Sequence, residues 1–130
     1  MEQQGTNKYS GKKLLIVDDD ADMRLLLAEY FRRLGFEVHE RDSGQSALEP
    51  AVTGNFDCLI LDVSMPGMTG PDLLRELKAR GQAVPTVFIT AHGGAAMRPR
   101  LIELGAVECL SKPFSDTALR AALDVALGAR

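Results

Sequence analysis

Short runs of branched apolar residues alternate along this chain with longer segments whose apolar residues recur at helical spacing, and that alternation constrains the fold most. "KKLLIVD" is too short for a helix and apolar on both faces, which predicts a strand buried from both sides. Met23, Leu26, Leu27, Tyr30, Phe31 and Leu34 then fall at helical spacing, and Gly35 ends that helix. "FEVHE" predicts a second strand, less apolar and suited to a sheet edge, with His39 exposed. Asp42 or Ser43 can cap a helix running to about Val52, before Gly54. "DCLILD", "GPDLLRELKARG", "VPTVFITA", "MRPRLIELG", "AVECLS" and "SDTALRAALDVALGA" continue the series as strand, helix, strand, helix, strand and helix. Five strands alternating with five helices predict an α/β fold, a doubly wound five-stranded parallel sheet covered by helices on both faces.

In such sheets the chemistry lies beyond the C-terminal strand ends. The first strand ends in Asp18 and Asp19, the third in Asp62 and the fourth in Thr90, while Lys112 follows the fifth. One rim therefore gathers three carboxylates, a hydroxyl and a single ammonium. Like charges so close are costly without partners, and Lys112 cancels only one of them. A divalent cation would balance the rest, and an all-oxygen donor set without His or Cys selects Mg²⁺ over zinc. Metal, lysine and hydroxyl together suit the oxygens of a phosphoryl group, and one carboxylate could itself be the nucleophile. Asp20 and Asp22 read instead as residues of the helix entrance, where negative charge is favoured.

The remaining composition mostly excludes. The 130 residues suit one domain, and fifteen basic against eighteen acidic residues, with no long basic run, point to neither nucleic acid nor an anionic membrane. No apolar stretch approaches the roughly 20 residues of a membrane span, and "MEQQGTNKYS" lacks the apolar stretch of a signal peptide. Residues 1–10 are expected to form a disordered tail, with the domain proper over 11–130. Cys58 and Cys109 each sit in an apolar run and read as buried free thiols, which suits a reducing cytoplasm.

The order "LLIVDDD", "LILDVSMPGMTG", "VFITA" and "GAVECLSKPF" closely resembles the receiver domain of two-component response regulators, over roughly residues 12 to 128. The resemblance implies a flavodoxin-like (CheY-like) three-layer sandwich and a phosphorylated signalling switch rather than a turnover enzyme. Asp62 would be the phosphoacceptor, taking its phosphoryl group from a phosphohistidine on a sensor histidine kinase or phosphotransfer protein. Asp19, Asp62 and the Ser64 carbonyl would bind Mg²⁺ directly, with Asp18 acting largely through a metal-bound water. Thr90 would donate to one phosphoryl oxygen, Lys112 would pair with another, and small Ala91 would leave the aspartate accessible. The Lys112–Pro113 bond is expected to be cis. Homodimerisation through the fourth helix, fifth strand and fifth helix, or docking to an output domain or downstream protein, would carry the signal onward.

Three positions depart from that pattern or modulate it. Cys109 stands where many receivers carry Tyr or Phe, and a thiol cannot repeat the inward ring motion of the family. It either weakens coupling between Asp62 and the face of the fourth helix, fifth strand and fifth helix, or is merely a small strand residue. Pro99 predicts that the fourth helix starts late, near Arg98, leaving "HGGAAM" as a loop. His92, like Ser64, would flank the pocket mouth, where it either influences water attack on the acyl phosphate or is simply solvated. Two other readings compete: a haloacid-dehalogenase-like phosphatase with its nucleophile in Asp18-Asp19-Asp20, and a degenerate receiver used only for docking. The first leaves Asp62-x-x-Met-Pro unexplained, and the second leaves the full set of pocket residues unexplained.

Overall fold

In a computed structural model that describes residues 8–91 and 94–128, strands and helices alternate throughout. The elements are β1 (Lys13–Val17), α1 (Ala21–Leu34), β2 (Glu37–Arg41), α2 (Gly44–Thr53), β3 (Cys58–Asp62), α3 (Gly70–Ala79), β4 (Thr86–Thr90), α4 (Gly94–Leu104), β5 (Glu108–Ser111) and α5 (Asp116–Gly128). The sheet order is β2-β1-β3-β4-β5 and every pairing is parallel. The less apolar β2 lies at an edge, as its sequence predicts. Strand order reverses between β1 and β3, which opens a crevice beyond their C-terminal ends.

Two-residue alternation divides the core between the two faces of the sheet. Leu14, Ile16, Cys58, Ile60, Val87 and Ile89 pack with Leu27 and Phe31 of α1 and Leu119 and Leu123 of α5. Leu15, Val17, Leu59, Leu61 and Phe88 pack on the other face with α2, α3 and α4 through Ala47, Leu73, Leu77 and Leu101. Each such large side chain contributes about 1.5–3 kcal/mol by leaving water. Both cysteines are buried and unbridged.

Local signals end the elements where the sequence suggests. Asp20 caps α1 by accepting the N–H groups of Asp22 and Met23, while Gly35 closes that helix at φ 111°, a conformation open to glycine. Ser43 caps α2, and Thr69 with Asp72 forms a capping box on α3. Gly70 is required by proximity: a Cβ there would lie 2.2 Å from the Asp62 carbonyl oxygen.

Three expectations need correction. α4 is continuous from Gly94, not from near Arg98, and holds Pro99 as its sixth residue. The proline removes the donor that would meet the Ala95 carbonyl, but Ala95 and Pro99 are both exposed, where solvent access makes such a loss tolerable. Buried Leu101 and the Arg98–Glu108 ion pair hold the helix against the sheet and β5. The tail does not extend to residue 10: Tyr9 is only 2% exposed, stacks on Phe36 at 5.0 Å between ring centroids and donates to Asp124 Oδ1 at 2.7 Å. Residues 1–7 lie outside the described residues. Leu26, finally, is 67% exposed, because the buried stripe of α1 centres on Leu27, Ala28 and Phe31.

Candidate phosphoryl and cation site

Asp18 and Asp62 continue the alternation that turns Leu14, Ile16, Cys58 and Ile60 toward α1 and α5, so each carboxylate is delivered to the crevice by its strand. Asp18 is fully buried. Its Oδ1 accepts the Asp20 N–H at 2.9 Å, which also sets the entrance of α1. Its Oδ2 has no hydrogen-bond partner among the described residues, and the nearest cation, Lys112 Nζ, is 3.8 Å away. A buried carboxylate oxygen without a donor is costly, and an oxygen-seeking cation would remove that cost.

Asp62 is 7% exposed and Asp19 is exposed. One oxygen from each of Asp18, Asp19 and Asp62 lies within 4.8 Å of the others. Burial, then the charge of Asp18, push the Asp62 carboxyl up to about 7, while Lys112 and the Ser64 backbone oppose the rise. Oxygen donors, excess negative charge and an orphaned buried oxygen together fit a hard divalent ion.

The β4–β5 side supplies the hydroxyl and the ammonium. Thr90, 5% exposed, directly follows Ile89, which pairs in register with Asp62. The Lys112 N–H donates to the Thr90 carbonyl at 2.8 Å, tying the two strand ends together, and the Lys112–Pro113 bond is cis. Ala91 is exposed at the mouth. The expectation for His92 lies outside the described residues. Cys109 faces away from the rim, buried with Leu101, Ala106 and Phe88 beneath α4, where burial raises its thiol pKa.

One neighbour of the site escaped the sequence reading. Arg24, the fourth residue of α1, donates from Nη1 to the Asp18 carbonyl at 2.6 Å. A signal was there: a cation in the first turn opposes the helix dipole and calls for a local acceptor. An apolar groove of about 310 Å³ also adjoins Lys112, lined by Met23, Leu26, Tyr30, Pro113 and Phe114 among others.

Comparison with known proteins agrees with this geometry. Residues 14–124 match the family described as response regulator receiver domain. The chain is 39% identical over 118 residues to nodulation protein W of Bradyrhizobium diazoefficiens, covering 90% of this chain and 52% of that protein. It is 36% identical over 113 residues to the transcriptional regulatory protein FixJ of Azorhizobium caulinodans, covering 87% and 54%. The chain thus spans about half the length of these curated relatives. Among solved structures, FixJ-N superposes with a TM-score of 0.81 at 32% identity, covering 92% of this chain and 95% of that one. The response regulator TrrA from Thermotoga maritima, in complex with Mg(2+)-BeF, gives a TM-score of 0.80 at 30% identity, covering 89% and 99%. With its sheet order, its acidic rim and these relatives in agreement, the chain belongs to the receiver domains of two-component response regulators.

Proposed function

We propose that the domain accepts a phosphoryl group on Asp62 from the phosphohistidine of a sensor histidine kinase or phosphotransfer protein and acts as a cytoplasmic signalling switch. The observation that carries this is the pairing of buried Asp18, one oxygen unsatisfied, with Asp62 held up to about 7. Asp18, Asp19, Asp62 and the Ser64 carbonyl would hold Mg²⁺, which when bound supplies charge neutralisation for phosphoryl oxygens. An ionised Asp62 oxygen attacks phosphorus as the donor's P–N bond breaks, leaving an acyl phosphate on Asp62. The Thr90 hydroxyl donates to one phosphoryl oxygen and the Lys112 ammonium pairs with another, while exposed Ala91 leaves the mouth open. Slow attack by water resets the switch. The apolar groove beside Lys112 offers the donor protein a surface continuous with the site.

Output would pass through α4, β5 and α5, either to a second copy of the domain or to an output segment or downstream protein, with no nucleic acid bound by this domain itself. Among the described residues no helix is long and apolar enough to cross a membrane. With Cys109 buried under α4 in place of an aromatic, coupling to that face is expected to be weak.

The test is incubation with acetyl phosphate and Mg²⁺, followed by intact-mass and peptide mapping. One phosphoryl group on Asp62 is expected, abolished by EDTA and by Asp62→Asn. Phosphate on Asp18 would favour the phosphatase reading, and modification that survives EDTA would exclude a metal-dependent site.

A further inference from the structure

Arg24 touches no carboxylate of the site; it grips the backbone between two of them. Its Nη1 donates to the Asp18 carbonyl at 2.6 Å, and its Nε lies 3.5 Å from Glu40 Oε1 on the edge strand β2. Glu40 is held from its other side by Arg32 at 3.3 Å, which also donates to the Val38 carbonyl at 3.3 Å. The Asp18 carbonyl belongs to the peptide unit that joins Asp18 to Asp19. The peptide on the far side of Asp19 is held as well, since the Asp20 N–H donates to Asp18 Oδ1 at 2.9 Å.

Asp19 therefore sits between two fixed peptide planes. It needs them, because it is exposed and no packing directs its side chain into the cluster with Asp18 and Asp62. Helix stability does not account for Arg24, since a cation in a first turn faces the positive end of the dipole. The Arg24 side chain is also only 20% exposed, and its guanidinium meets two acceptors rather than extending freely into solvent.

We propose that Arg24, anchored by Glu40, is a positioning residue for the cation site: it orients the Asp18–Asp19 peptide so that Asp19 can contribute an oxygen beside Asp18 and Asp62. This rests on reading the rim as a Mg²⁺ and phosphoryl site. The role needs a planar fork that spans a carbonyl and a carboxylate at once, which a lysine ammonium does not reproduce. It also opposes simple electrostatics, because a nearby positive charge repels Mg²⁺.

That opposition supplies the test. Mg²⁺ alone, without phosphodonor, is titrated calorimetrically into the full chain as wild type, Arg24→Lys, Arg24→Met and Glu40→Gln, with thermal melts in EDTA to verify folding. Arg24→Lys, which keeps the charge, is expected to weaken Mg²⁺ binding about tenfold or more. Arg24→Met is expected to weaken it too, although loss of a positive charge by itself would tighten it. Glu40→Gln is expected to weaken binding about threefold by freeing the other end of the fork. Wild-type affinity in Arg24→Lys, or tighter binding in Arg24→Met, overturns the proposal. Should Arg24→Met fail to fold, Arg24→Lys and Glu40→Gln decide. If the wild-type chain takes up no Mg²⁺, the reading of the rim falls and this role falls with it; wild-type binding that Arg24→Lys matches removes only the role of Arg24.

Discussion

At the N-terminal end of the sheet, Asp124 of α5 accepts the Tyr9 hydroxyl at 2.7 Å and pairs with Lys8 at 3.1 Å, and these contacts hold its carboxyl below the usual range. At the opposite end, Asp18 is buried with one oxygen lacking a hydrogen bond among the described residues, and its charge helps to raise Asp62 to about 7. One end has its charges paired and stacks Tyr9 on Phe36; the other gathers acid faster than it gathers base. The two ends divide the labour. Packing and satisfied polar groups at the Tyr9 end support the fold, while the excess acid at the Asp62 end suits a divalent cation and a carboxylate with a perturbed pKa.

The largest expected effect breaks the first of these regions and leaves the second alone. Tyr9→Ala removes a ring with 2% exposure and should cost about 3 kcal/mol in chemical denaturation. Mg²⁺ affinity should stay at the wild-type value; a loss of both would mean that the two ends are not independent.

A smaller effect of opposite sign is expected at the rim. Asp62→Asn should stabilise the metal-free domain by about 1–2 kcal/mol at neutral pH, because the neutral amide removes one member of a repelling pair. The sign follows from the raised pKa. The folded state holds its Asp62 proton from the ordinary value of 3.8 up to about 7, so metal-free wild type loses stability as pH rises through that window. The gain in Asp62→Asn should therefore vanish near pH 4 and grow to full size above pH 7 in EDTA melts. Added Mg²⁺ should narrow it by stabilising wild type. A gain independent of pH would show that charge is not its cause.

The smallest effect sharpens the contrast. Tyr9→Phe keeps the ring and its stacking but removes the donor to Asp124, costing about 1 kcal/mol. Here the pH dependence runs the other way. Asp124 is held below the usual carboxylate range, first by the Tyr9 hydrogen bond, so its contribution is present above the unfolded pKa and lost as pH falls through the folded one. The two windows therefore separate: the deficit of Tyr9→Phe should stay constant from pH 7 to pH 4 and shrink only in more acid solution, whereas the gain of Asp62→Asn should disappear between pH 7 and pH 4. Parallel curves for the two variants would refute the division.

Much of the rim was legible because it depends on short-range patterns. Apolar runs of strand length point their C-terminal residues at one edge of a parallel sheet, and Asp18, Asp19, Asp62 and Lys112 do converge there. The role of Asp20 as a cap was equally local. The start of α4 is not legible locally, because a proline rule weighs one lost hydrogen bond, while buried Leu101 and the Arg98–Glu108 pair decide whether the helix can bear it. Tyr9 reads as tail from the sequence because its partners, Phe36 and Asp124, are remote along the chain.

The order and type of the elements, the parallel sheet and the residues offered at its C-terminal rim can all be read along the chain, because two-residue and helical periodicities are properties of neighbouring residues. Which oxygens are left without donors, how far the Asp62 carboxyl is raised, and the reach of Arg24 to both the Asp18 carbonyl and Glu40 emerge only in the folded chain. These depend on burial and on distances of a few ångströms between residues far apart in the chain. Electrostatic and hydrogen-bond energies change steeply over such distances, and no local pattern records them.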